Sequence, residues 1–416
     1  MTFNFISKFT TGPIFYGRSR KSKVKPNVPP IVLFSTADWD NPFWTNKQHT
    51  AVHLAARGYR VLYVESLGLR QPKLASADFR RILTRIRKLF RGVREVRPGL
   101  FVFSPLVLPL HRFRWVRTLN QWILNYWLSW IQWRLGFNRP WVWTYNPMVL
   151  ELARSLGASK VIYHSVDDLA AAPGVDRETI LTHEAELLRA CDVVFCTSRK
   201  IESHCRSMAS DKTHYFGNVV DYGHFSKARS NQALPVELER IPRPRIGFVG
   251  ALSSYKFDVE SVLSVARQRR DWHWVLIGKV GEGQPDAGVE SLQGESNIHF
   301  LGARDYAELP VYLSHFDVAV IPCPLNDYTQ SMFPMKFFEY MAAGRPIVAR
   351  KIDSLEDYRE HFYQYEDAGS LLVAIESALN RGVRDQDSSE RLARKNTWDE
   401  RLESMLRIIQ EPRISR

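Results

Sequence analysis

Eleven short apolar runs, each followed by a helical pattern or a polar loop, constrain this chain more than any other feature. The first six are "IVLFST", "RVLYVE", "LFVFSP", "WVWTY", "KVIYHS" and "DVVFCTS". The other five are "RIGFVG", "WVLIG", "NIHFLG", "DVAVIP" and "PIVAR". Runs this continuously apolar are expected of parallel strands covered on both faces, and helical stretches between them make repeated βα units. The class is therefore α/β. Two series in 416 residues predict two doubly wound domains.

The boundaries follow from composition. Residues 1–29 read as a basic tail and 30–230 as the first domain. The proline- and charge-rich "NQALPVELERIPRPR", residues 231–245, reads as a linker. Residues 246–390 form the second domain, and 391–416 a C-terminal helix with the option of crossing back to the first.

The net charge of +13 is concentrated. Residues 1–37 hold six Lys or Arg and no acid, and residues 69–97 hold ten against Asp78 and Glu95. A local charge implies a local anionic partner. "FRRILTRIRKLFRG" alternates apolar and basic residues at helical spacing, so residues 79–91 suit an anionic membrane surface. The plain alternative is a core helix with a solvated basic face. The segment 115–133, with five tryptophans, is a second candidate for that contact and equally a buried packing helix. A nucleic-acid partner is not expected, because no module signature accompanies the charge. No run reaches about 18 apolar residues, so no transmembrane helix is predicted. The four cysteines show neither C-x-x-C nor zinc spacing, which points to reduced thiols in a cytoplasmic protein.

Ligands of parallel sheets bind beyond the carboxyl ends of the strands. The loop "VGALSSYKF", with Gly250, Ser253 and Lys256, offers backbone N–H groups and a cation to a phosphate. It is neither G-x-G-x-x-G nor a P-loop. In "SMFPMKFFEYMAAGRPIVAR", Lys336 and Glu339 are three residues apart and so share a helix face. That pair is either a satisfied ion pair or a clamp on a nucleoside diphosphate. "DWDNPFWTNKQH", with Trp39, Trp44, Asn46 and Lys47, suits an aromatic acceptor wall or a packed loop. His164 ends a strand; Asp167 and Asp168 follow it and could equally be helix N-caps.

In "PMKFFEYMAAGRPIVA", "FVGALSSYKFD", "YHSVDD", "CDVVFCTS" and "GNVVDYGHF" the chain resembles retaining GT-B glycosyltransferases of the GT4-like type, close to a bacterial polysaccharide and teichuronic-acid branch. The resemblance covers roughly residues 30–410. It implies two Rossmann-like domains facing across a cleft and transfer of a sugar from a nucleotide-diphosphate sugar to a lipid-linked or cell-surface glycan. It makes Lys256 and Glu339 donor ligands and, with His164 beside the transferred sugar, catalytic. The family's first glutamate falls at Ser331 and its usual arginine at Ala251. The expected substitutes are backbone amides of Ser331, Met332 and Phe333, next to Pro334, and the cation of Lys336. No cofactor and no obligatory metal are expected, and the location is the inner face of the plasma membrane. The rival readings are a non-hydrolysing sugar-nucleotide epimerase and a non-catalytic basic adaptor at the membrane.

Overall fold

The computed structural model describes residues 28–41, 44–67, 92–105, 114–172, 174–281 and 288–411. The tail up to residue 27 and the basic segment 79–91 lie outside them. The described residues divide into two compact units. The first ends at Cys196 and regains 202–214; the second takes 197–201 and Tyr215 onward.

The first unit is built on an eight-stranded sheet: β1 (Ile31–Phe34), β2 (Val61–Val64), β3 (Arg94–Arg97), β4 (Leu100–Phe103), β5 (Trp141–Thr144), β6 (Lys160–Ser165), β7 (Val193–Cys196) and β8 (Thr213–Tyr215). Their order is β3-β4-β2-β1-β5-β6-β7-β8; the strands from β4 through β7 in that order pair in parallel, and β3 runs against β4. The central strands β1, β2 and β5 are buried at every residue, which is why they carry no polar alternation. Helix α1 (Asn46–Ala56) follows β1, and α2 (Arg114–Leu135) packs Leu124, Leu128 and Ile131 against Phe34, Val64 and Val142.

The second unit holds β9 (Arg245–Val249), β10 (His273–Ile277), β11 (Ile298–Gly302), β12 (Val318–Ile321), β13 (Ile347–Arg350) and β14 (Tyr363–Tyr365), in the order β11-β10-β9-β12-β13-β14. Each strand of this sheet is parallel to its neighbours. Alternate residues go to opposite faces. Ile246 and Phe248 join the core under α3 (Val259–Gln268) and α4 (Ala368–Arg381), whereas Val249 joins the core under α5 (Lys336–Ala342).

Two expected boundaries move. Residues 231–245 are not a spacer between the units but part of the second one. Leu238 and Ile241 are buried there, and the Arg245 guanidinium donates to both of their carbonyls. The chain instead passes between the units within 197–215. The last helix, α6 (Trp398–Gln410), also belongs to the second unit, where Val220 N–H donates to Asn396 O and Arg401 to Phe216 O. All four cysteines are buried, and none is in a disulfide.

Candidate functional site

Parallel strands aim the β9, β12 and β13 carboxyl ends one way, and the loops that leave β9 and β12 are tied together there. Gly250 N–H donates to Ile277 O, and Leu252 N–H to Lys279 O, so the loop after β9 is pinned to the one after β10. Asn326 Nδ2 donates to Tyr255 O at 2.9 Å, which joins it to the loop after β12. Asp258 caps α3 at Ser261 N–H and also takes Arg350 Nη1 at 2.6 Å, adding the end of β13.

Helix α5 is fixed on this platform. Tyr340, on α5, accepts the Val249 N–H at 2.9 Å. At the other end Arg229 donates to Met341 O and Ala342 O, placing a cation where the helix dipole is negative. Gly344 has φ +68, and a Cβ there would lie 3.2 Å from the Arg229 guanidinium carbon. The glycine that closes the helix thus also leaves room for its cap.

Lys336, the first residue of α5, lies against the end of β9. A Cβ added to Gly250 would stand 2.5 Å from Lys336 Cε and 2.8 Å from Nζ. Only glycine allows the ammonium to rest there. Its charge reaches the end of β12 as well: burial pushes the Cys323 thiol up to about 12, while Arg350 and Lys336 draw it down. Glu339 follows one turn along. It keeps some accessible surface but is closely ringed by protein. Burial pushes its carboxyl up to about 7, and the field of Lys336 opposes that rise. Lys256 stands on the neighbouring loop, its ammonium 5.2 Å from the Tyr255 ring centre and 5.4 Å from that of Tyr328.

The segment 331–333 is held by side chains the sequence did not single out. Ser198 Oγ donates to Ser331 O at 2.8 Å, Ser354 Oγ to Met332 O at 2.8 Å, and Asn218 Nδ2 to Phe333 O at 2.6 Å. Three consecutive carbonyls are thereby fixed. Ser198 and Asn218 lie in "CDVVFCTS" and "GNVVDYGHF", so the signal was present without its meaning. The expectation that the amides of Ser331–Phe333 replace the missing glutamate is corrected at Ser331 and Met332. The Ser331 and Met332 amides already donate to Tyr328 O and Thr329 O, and the Ser331 hydroxyl to Asp327 O. Phe333 and Pro334 are buried in the α5 packing. Ser253 is fully buried and its hydroxyl has no protein partner, so its side chain faces the interior.

The first unit treats its candidates differently. Lys47 is nearly buried and its Nζ lies 3.1 Å from Asp167 Oδ2. Asp168 caps a short turn at Ala171 N–H, the capping alternative. The His164 ring is fully buried beside Tyr145, and its Nδ1 accepts the Trp143 indole N–H at 3.3 Å. Trp39 is packed edge-on against Tyr63, and its backbone N–H donates to the buried carboxylate of Glu65. Asn46 is buried too, and its carbonyl accepts the Tyr145 hydroxyl. Of the expected aromatic wall, only Trp44 keeps appreciable surface, with Arg97 over its ring.

Two doubly wound parallel sheets with this loop platform define the GT-B class. Among solved structures, sucrose-phosphate synthase from Thermosynechococcus elongatus superposes with a TM-score of 0.69 at 18% identity, over 92% of this chain and 98% of the other. Anabaena HepE, solved in complex with UDP and glucose, gives a TM-score of 0.61 at 15% identity, over 91% of this chain and 100% of the other. Residues 243–381, which contain Gly250, Lys256, Lys336 and Glu339, match the family "Glycosyl transferases group 1". The fold of the chain is therefore GT-B, and its residues 243–381 form a domain of the group 1 glycosyltransferase type. A Bacillus subtilis (strain 168) protein named "Putative teichuronic acid biosynthesis glycosyltransferase TuaH" is 24% identical over 268 residues, 60% of this chain. The match spans 66% of that relative, just under two thirds of its length.

Proposed function

We propose that the chain transfers a sugar from a nucleotide-diphosphate sugar to a lipid-linked or cell-surface glycan acceptor, with retention of anomeric configuration, at the inner face of the plasma membrane. The observation that carries this reading is the Lys336 ammonium laid on Gly250 at the end of β9, with Glu339 one turn further along α5. A cation at a strand end suits a diphosphate. A largely buried carboxylate beside it, with some surface left open, suits the two hydroxyls of a ribose, which donate to it when it is ionised. Lys336 thus stands in for the arginine replaced by Ala251, and Lys256 adds a second charge.

Catalysis is then mostly positioning, together with stabilisation of the departing diphosphate by preorganised cations. His164 acts as a positioning residue, since its ring is committed to Trp143. His164 lies one residue before the end of β6, from which Asp167 and Asp168 follow. The lysines carry the charge opposite the diphosphate, so no divalent cation is required. EDTA-treated protein is expected to keep its activity, and restoration of a lost activity by manganese would contradict this. The acceptor class is supported by the name of the Bacillus subtilis relative and the donor class by the UDP and glucose bound in HepE.

The test is a panel of nucleotides read by thermal shift. UDP or GDP is expected to stabilise the protein, and Glu339→Ala to weaken that stabilisation. Indifference to every nucleotide would overturn the reading.

A further inference from the structure

Helix α2 has two faces. Val116, Asn120, Leu124, Leu128 and Ile131 are buried against the first unit. On the other side Trp115, Trp122, Tyr126 and Trp133 expose 64%, 67%, 59% and 76% of their surface, with Leu119 among them. At about 100° per residue these five fall within an arc of about 60°. The stripe runs about 27 Å at about 1.5 Å per residue. Trp122 and Tyr126 stack with ring centres 6.3 Å apart and planes 16° from parallel.

We propose that this face is the surface by which the protein lies on an anionic lipid bilayer, with α2 in the plane of the headgroups. The choice of occupant rests on chemistry. The large exposed side chains are indoles and a phenol, amphipathic rings that favour the headgroup layer, with a single aliphatic residue, Leu119. Charge is complementary: from Val96 to Leu150 the chain holds six arginines and not one Asp or Glu. No described helix is long and apolar enough to cross a membrane, and one face of α2 is committed to the core, so the helix lies on the bilayer and does not enter it as a span. The proposal deepens the reading of a lipid-linked acceptor and rests on it for its purpose. The surface itself, on α2 of the first unit, shares no residue with the donor site of the second.

The test uses the full chain and sedimentation with vesicles of equimolar phosphatidylglycerol and phosphatidylcholine, against phosphatidylcholine alone. The expected result is binding to the anionic vesicles and weaker binding to the neutral ones. The variant Trp122→Ser/Tyr126→Ser/Trp133→Ser, altered only at exposed positions, should lose about tenfold or more of that partitioning. Its thermal midpoint and its nucleotide response in vesicle-free solution should be retained. A variant that partitions as the parent does, which would hand the contact to another segment, overturns the proposal. So does a parent that ignores anionic vesicles, or one that is a dimer which the substitutions dissociate without a change in vesicle binding. The nucleotide response, read without lipid, reports separately on the donor reading, so either inference can fail alone.

Discussion

In the first unit the cation at the strand ends is matched at short range: Lys47 lies 3.1 Å from Asp167, nearly out of water. In the second unit Lys336 lies on a glycine, and Lys256 rests near two tyrosine rings. The carboxylate that shares a helix with Lys336 is held near the point where it changes charge at ordinary pH. A matched pair holds two loops together and resists exchange for a ligand. A cation on glycine and a carboxylate raised by burial both gain when an anion and its hydroxyl groups arrive. The lesson is that a carboxylate raised by burial beside a lysine marks a ligand site better than a charge already held in a short ion pair.

The comparison breaks first at Lys336. Lys336→Ala should lower nucleotide affinity or transfer rate by about 100-fold, the scale of losing one preorganised charge at a developing anion. Steady-state kinetics and calorimetry both read it. Gly250→Ala is the next largest. Its new methyl would occupy the space of Lys336 Cε, so about tenfold of nucleotide affinity should go while the fold is retained, an effect of displacing a group by about 1 Å.

Glu339 sharpens the comparison through pH. Its folded-state value, about 7, lies above its ordinary 4.5, so the folded protein binds the extra proton. Its contribution to stability is therefore greatest at low pH and declines as pH rises between those values. Glu339→Gln removes the penalty, and at pH 8 the thermal midpoint should rise by a few degrees. Nucleotide affinity of the parent should increase through pH 7 as the carboxylate ionises. The Gln variant should show only the titration of the nucleotide itself, with weaker binding throughout.

Asn218→Ala frees one carbonyl of the 331–333 segment. It should raise the donor KM several-fold, in line with roughly 1 kcal/mol for a hydrogen bond, with kcat changed less. Lys47→Met is the smallest. It leaves Asp167, which is partly exposed, and should cost about 1 kcal/mol of stability with nucleotide affinity unchanged.

Much of this was legible in the chain. The β9 run "RIGFV" and the β12 run "VAVI" read as strands because both faces are covered. Lys336 and Glu339 read as neighbours because the helical period puts them on one face. Strand β3, "REVR", carries no apolar run because it is a half-exposed edge, and β14, "YQY", is too short to show a period. The proline-rich stretch before β9 has the composition of a linker, yet Leu238 and Ile241 bury themselves, a tertiary effect that composition does not encode. The holders of the 331–333 carbonyls were unreadable for the same reason. Ser198, Asn218 and Ser354 meet that segment from over a hundred residues upstream or some twenty downstream.

The most direct test of the central claim is a calorimetric titration of UDP and GDP into the parent chain and into Lys336→Ala. The account predicts that at least one nucleotide binds the parent and that its affinity falls about 100-fold in the variant. Equal affinity for the two proteins would contradict it, because the diphosphate would then be held somewhere other than at the end of β9.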